Sequence, residues 1–136
     1  MTNLEITLAL FKSIDDDDLD SVANHFADDA EWIELPLGVT YRGPSGWREN
    51  VEYWRDGFVN GRAEVTNVID AGDTVVVEYV GSGQNTGTLT TPRGVLPPSG
   101  RNVRADIIDV WEFEDGRIKR GRSYVGGLVV AIQEPA

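Results

Sequence analysis

One carboxylate sits where an apolar strand should run. In "RADIIDVWEF", Asp109 is flanked by Ile107, Ile108, Val110 and Trp111. A charge among such neighbours is costly unless it is paired, hydrogen-bonded or kept protonated. Kept protonated, Asp109 is an acid or a hydrogen-bond donor toward a substrate oxygen. Two further groups suit the same chemistry. Glu34 in "AEWIELPL" is a candidate proton acceptor, provided a bulge turns it inward. Tyr79 in "VVVEYVG" is a candidate assistant, because a buried phenol needs a polar partner. The bland alternative for Asp109 is an ion pair, and the turn at "EDG" decides. A two-residue "DG" turn sets Asp109 opposite Arg122; a three-residue loop with Gly116 left-handed sets it opposite Gly121, diagonal to Ser123. In the second case Asp109 shares a face with Trp111, and Gly121 leaves empty volume beside it.

Other chemistries find little support. The chain has no cysteine, so disulfides, thiolate zinc sites and cysteine nucleophiles are excluded. His25 is its only histidine, and no metal-binding spacing accompanies it. The run "DDDD" at 15 to 18 reads as a solvated turn, with Asp18 able to cap a helix. Neither a metal nor a cofactor is called for. A net charge of -11, from 12 basic and 23 acidic residues, repels nucleic acid and anionic membrane surfaces. No apolar run is long enough to span a membrane, and "MTNLEITLALFK" lacks the basic start of a signal peptide. A cytoplasmic location is the expectation.

The elements that must position these groups follow from periodicity. Leu4, Leu8 and Phe11 mark one face of a helix over 3–14, and Leu19, Val22 and Phe26 mark a second, short helix. "AEWIELPL" reads as a strand stopped by Pro36. Pro44 opens a third helix, in which Trp47, Val51, Trp54 and Phe58 form an apolar stripe. From residue 62 the pattern is β: two strands around "AGD", a Pro/Gly-rich loop "TGTLTTPRGVLPPSGR" long enough for a lid or rim, then two long strands around "EDG". Helices followed by antiparallel sheet predict an α+β fold in one domain over 1–136. Both faces of the last strands are apolar, so a homodimer through the outer sheet face is expected.

"LDSVANHFADDAEWIELPLGVTYRGPSGWRENVEYW", "DTVVVEYVGSGQNTG", "PPSGRNV" and "DVWEFEDGRIKRGRSY" together resemble the SnoaL-like polyketide cyclase group. This group belongs to the nuclear transport factor 2-like superfamily, alongside ketosteroid isomerase and limonene epoxide hydrolase. The resemblance runs from about residue 4 to about 133. It implies a conical α+β barrel: a strongly curved, mainly antiparallel sheet and three N-terminal helices enclosing an apolar pocket. In SnoaL-type cyclases an acid/base aspartate occupies the position that falls here on Ser123, and a histidine the position of Asn85. The Arg and two Asp residues of limonene epoxide hydrolase fall on Tyr79, Gly81 and Ser123, which excludes that mechanism. Ketosteroid isomerase keeps one aspartate neutral so that it can donate a hydrogen bond to an oxyanion, and that aspartate aligns with Asp109. Its tyrosine falls near Leu10 and its base near Leu35, one residue from Glu34.

The resulting expectation is a cofactor-independent enzyme with acid/base chemistry on an apolar small molecule bearing a carbonyl or hydroxyl. Isomerisation, dehydration and aldol-type cyclisation all suit such a pocket. Asp109, Glu34 and Tyr79 are the catalytic candidates. Trp32, Tyr53, Trp54, Asn85, Trp111 and Ser123 are the candidates for contact with substrate. The alternative is a non-catalytic binding or accessory domain on the same fold.

Overall fold

The computed structural model describes residues 1–92 and 94–126. Helix α1, Asn3–Asp15, opens with a capping box in which Thr2 and Glu5 satisfy each other's backbone N–H groups. The short second helix is a 3₁₀ helix, η1, over Leu19–His25, and not a regular α-helix. Strands β1 (Phe26–Glu34) and β2 (Val39–Arg42) follow, then α2 (Gly46–Gly57). The remainder is β3 (Phe58–Asp70), β4 (Thr74–Asn85), β5 (Leu89–Thr91), β6 (Gly94–Leu96), β7 (Asn102–Glu114) and β8 (Arg117–Val125). No described helix is long and apolar enough to cross a membrane.

Six strands form one sheet in the order β2-β1-β8-β7-β4-β3, with β5 and β6 paired separately. Among the described residues only the β1–β8 contact is parallel. Helix α2 touches β2 and β3, which are the two opposite edges of the sheet, as well as β1. A single helix reaches both edges only if the sheet is strongly curved, so the hollow of the cone lies between α2 and the strands. Helix α1 closes the side along β3 and β4.

The Pro/Gly-rich stretch is more ordered than its composition predicts. Its β5–β6 hairpin packs Leu89 against Gly57 and into a small cluster with Val103, Tyr53, Trp54 and Phe58. Residue 93, within that stretch, lies outside the described residues, as do 127–136 at the end of the expected domain.

The turn between β7 and β8 sets a register that matches neither sequence alternative. Asp115 and Gly116 both have positive φ, 52° and 76°, so this is a two-residue turn of the I′ kind. Glu114 pairs with Arg117 and Phe113 with Ile118, but a bulge then shifts the ladder so that Glu112 pairs with Arg120. Asp109 therefore lies opposite Ser123, not opposite Arg122 or Gly121. Arg122 points to the other face and binds Glu112 at 2.9 Å.

Candidate active site

The hollow is a cavity of about 480 Å³. It exists because the inner face of β4 tapers along its length: Val75, Val77 and Tyr79 give way to Gly81 and Gly83. Ala63 on β3 and Ala105 on β7 flank Gly81 in register. Those small residues leave volume that the helices do not fill. Buried residues Trp32, Glu34, Asn50, Asp109 and Ser123 line the floor, and exposed Arg55, Val59, Asn60 and Arg62 mark the mouth.

Glu34 reaches the floor by alternation along β1. Phe26, Ala30, Trp32 and Glu34 are separated by even steps and all lie on the buried face, and the irregular β1–β8 pairing between Phe26 and Glu31 leaves that face unchanged. Glu34 therefore needs no bulge to turn inward, and it is buried with 1% of its surface exposed. The Trp32 indole N–H donates to its Oε2 at 3.0 Å. Burial raises its pKa to about 7, even though hydrogen bonds from Trp32, Trp54, Asn50 and Ser123 oppose the rise.

Asp109 is buried on the same face, and Tyr79 Oη donates to its Oδ1 at 3.2 Å. Its pKa stands well above the usual carboxylate range. Burial is the chief cause and the Glu34 carboxyl adds to it, while Ser123 and Tyr79 pull the other way. The Tyr79 hydroxyl is also raised, first by burial and then by the Asp109 charge.

These groups form a row. Glu34 pairs with Ser123 across β1 and β8, and Ser123 pairs with Asp109 across β8 and β7. The two acids are thus two strand spacings apart, about 9–10 Å between backbones. Ser123 stands between them in the ladder, and its hydroxyl opposes the rise in pKa at both acids. Two carboxyls of raised pKa on either side of a hydroxyl, at the base of an apolar cavity, are suited to give and take protons.

Other expected residues divide. Trp54 lines the cavity, as do Trp32 and Ser123. Trp111 does not: it is fully buried, stacked on Trp32 at 4.6 Å and packed by Phe26 and Trp47. Gly121, expected to leave a void, is covered by those indoles instead; a Cβ there would lie 2.4 Å from the Trp32 ring. Tyr53 is not in the cavity wall, and its hydroxyl donates to Thr90 O at 3.0 Å, holding the β5–β6 hairpin. Asn85 is a structural clamp. Its Nδ2 donates to Gly57 O and Gly87 O at 3.0 and 3.2 Å, and its Oδ1 accepts from Ser99 N and Oγ at 2.8 and 2.9 Å. With every polar atom engaged, Asn85 has nothing left for a ligand. His25 is half-buried and outside the cavity.

Asn50 was missed. It lines the floor, is 5% exposed, and leaves its Oδ1 buried without a partner. Its position three residues after Trp47 and four before Trp54 put it on the same helical stripe, so the signal was present. Among the described residues no group of three or more His, Asp or Glu side chains could hold a metal.

A family model described as a SnoaL-like domain matches residues 8–121. No curated protein matches the sequence. Solved structures do. A candidate SnoaL-like polyketide cyclase from Jannaschia sp. CCS1 superposes with a TM-score of 0.83 at 24% identity, covering 98% of this chain and 93% of the other. A hypothetical protein of ketosteroid isomerase-like fold from Catenulispora acidiphila, in complex with trimethylamine, gives 0.75 at 18% identity and covers 99% and 96%. IdmH, a candidate polyketide cyclase from Streptomyces antibioticus, gives 0.72 at 20% identity and covers 94% and 93%.

Proposed function

Because the chain belongs to the SnoaL-like domain family, we propose that it is a cofactor-independent enzyme performing acid/base chemistry on an apolar carbonyl- or hydroxyl-bearing molecule. The observation carrying this reading is the row Glu34–Ser123–Asp109 on the floor of an apolar cavity. Glu34, with a pKa of about 7, is half ionised near neutral pH and is the base. Asp109 is the acid: its Oδ1 accepts from Tyr79, which leaves the protonated oxygen free to donate.

The chemistry balances without further reagents. Glu34 takes a proton from the carbon beside a carbonyl, and the O–H of Asp109 stabilises the enolate oxygen. Returning the proton from Glu34 to another carbon completes an isomerisation. In a dehydration, Asp109 gives its proton to the departing hydroxyl, and Ser123 passes the Glu34 proton back to Asp109. In an aldol-type closure, the enolate carbon attacks a second carbonyl, and the new alkoxide takes the proton.

A general substrate tests the reading. Incubated with 2-tetralone in heavy water, the wild type exchanges the ketone's α-protons for deuterium, followed by proton NMR, and Glu34→Gln returns exchange to background. Wild-type exchange no faster than buffer, or an undiminished rate in Glu34→Gln, rejects Glu34 as a base. The second reading, a binding domain, draws support from the four hydrogen-bonding groups around Glu34, which leave its carboxylate few free lone pairs. Tight binding of 2-tetralone without exchange favours that alternative.

We also infer that two copies pair through the outer sheet face, where Ile108 and Tyr124 are 40% and 46% exposed. Sedimentation at twice the monomer mass, lost in Ile108→Glu, is the expected result.

A further inference from the structure

The sheet and the helix offer the cavity different chemistry. The sheet supplies Glu34, Tyr79, Asp109 and Ser123, whereas α2 supplies Trp47, Asn50, Val51 and Trp54, with exposed Arg55 at the mouth. Asn50 is therefore the one buried polar side chain that the helix brings to the cavity. Its residue type is not explained by the helix. Asparagine is a weak helix former, and a leucine of similar size would suit the apolar stripe better.

Buried amides almost always find partners. Asn85 follows that rule with every polar atom engaged. Asn50 departs from it: the residue is 5% exposed, and its Oδ1 is buried without a hydrogen-bond partner. Among the described residues, Arg101 Nη1 and Trp111 Nε1 share that state, but neither residue lines the cavity. The orientation of the amide follows from its neighbour. Asn50 is one of four groups that oppose the rise in the Glu34 pKa, and only its N–H side can do so for a carboxylate. The oxygen is the side left over.

We propose that Asn50 selects the substrate: its Oδ1 accepts a hydrogen bond from a hydroxyl carried beside the carbon that Glu34 deprotonates. The preferred substrates are then hydroxylated carbonyl compounds and not plain ketones. The inference rests on the reading of the cavity as the substrate site and of Glu34 as its base. A substrate hydroxyl bound to that base would block its access to a C–H group. A separate acceptor beside Glu34 removes the conflict, because Asn50 takes the O–H and leaves Glu34 to the carbon. A plain ketone leaves the oxygen unpaired, and a buried site built to hydrogen-bond a hydroxyl rejects the analogue that lacks it.

Calorimetric titration of the protein with 2-naphthol and with 2-fluoronaphthalene is the test. The two probes are close in shape, and only the first has a donor. The wild type is expected to bind naphthol about fivefold to tenfold more tightly. Asn50→Leu is expected to bring that ratio to about one and to hold 2-fluoronaphthalene at least as tightly. Asn50→Ala, which adds room instead, is expected to lose the preference in the same way, and Glu34→Gln to retain it. In urea titration Asn50→Leu is expected to unfold at or above the wild-type midpoint, because no described residue depends on the amide oxygen. Equal affinities in the wild type, no binding of either probe, or a preference that survives both Asn50 variants overturns the inference. So does a preference abolished by Glu34→Gln, because the hydroxyl then sits on the base. A lowered midpoint in both Asn50 variants overturns it too, by making the amide a clamp like that of Asn85. None of these readouts involves proton transfer, so the catalytic reading fails separately, in the tetralone exchange.

Discussion

The inner face of the sheet has a solid half and a hollow half. In the solid half, Trp111 stacks on Trp32, Phe26 and Trp47 pack around them, and Gly121 is small because two indoles occupy the space above it. In the hollow half, Gly81, Ala63 and Ala105 border the open volume, while Gly83 lets Phe58 and the β3 backbone approach. Glycines therefore do opposite work within one sheet. At Gly121 the missing side chain admits two rigid indoles; at Gly81 it borders the cavity and meets only the movable end of Ile107. Asp109 and Glu34 sit at the border, held by the aromatic half and facing the open one. Stability should reside in the first region and chemistry in the second, with the acids costing stability in return for function.

The largest effect that sharpens this division is Trp111→Ala, expected to lower the free energy of unfolding by ~3–5 kcal/mol in urea titration. A loss under about 1 kcal/mol erases the contrast. Next comes Asp109→Asn, which keeps volume and hydrogen bonding but removes the acid. It is expected to slow tetralone exchange by about 100-fold or more, equivalent to about 2.7 kcal/mol, with little change in unfolding midpoint. An unchanged exchange rate separates Asp109 from the chemistry.

The two glycines offer a direct pairing. Gly121→Ala places a Cβ against the Trp32 ring, which has no room to retreat, and should cost ~1–3 kcal/mol. Gly81→Ala meets only the Ile107 side chain, whose terminal Cδ1 is 2.6 Å away and which borders the cavity. Ile107 can turn into that space, so stability should change by under about 1 kcal/mol while 2-tetralone binds more weakly. Equal costs at the two sites contradict the comparison.

The border acids also give stability a pH dependence of known sign. The Glu34 pKa is raised from its ordinary 4.5 to about 7. Between those values the folded state keeps a proton that the unfolded chain has released, so stability falls as pH rises through this window. The slope from one such group is at most about 1.4 kcal/mol per pH unit. Asp109, also raised, acts in the same direction. Urea titrations of wild type and Glu34→Gln across pH 4.5 to about 7 should differ by this slope; parallel curves put Glu34 in a watery setting.

Much of the solid half was legible in the sequence. Trp47 and Val51 recur at a helical period and enter the aromatic core, and Val75 and Val77 alternate as a buried strand does. Trp54 continues that stripe onto the cavity wall, whereas Phe58, expected as its last member, begins β3 in extended backbone. The isolated acid at Asp109 was legible for the same reason, since it breaks an apolar pattern. What escaped was register. The bulge near Lys119 leaves no mark in composition, and it alone sets Asp109 opposite Ser123. Glu34 was legible by alternation, since it lies two residues after the buried Trp32 on the same face of β1. Asn85 misled in the other direction: a polar residue at a functional position of relatives here spends all its hydrogen bonds on loop carbonyls and Ser99. Asn50 needed the fold, because only packing reveals which polar groups lack a partner.

The claim on which the rest depends is that two carboxyls, on either side of Ser123, hold protons near neutral pH. Carbon-detected NMR titration of protein labelled at the Asp and Glu side-chain carboxyls tests it directly, with Asp109→Asn and Glu34→Gln assigning the two signals. The account predicts that both resonances titrate well above the ordinary carboxylate range, that of Glu34 near 7, and that Ser123→Ala shifts both upward. Two midpoints near the ordinary value of about 4, with no response to the Ser123 substitution, contradict it.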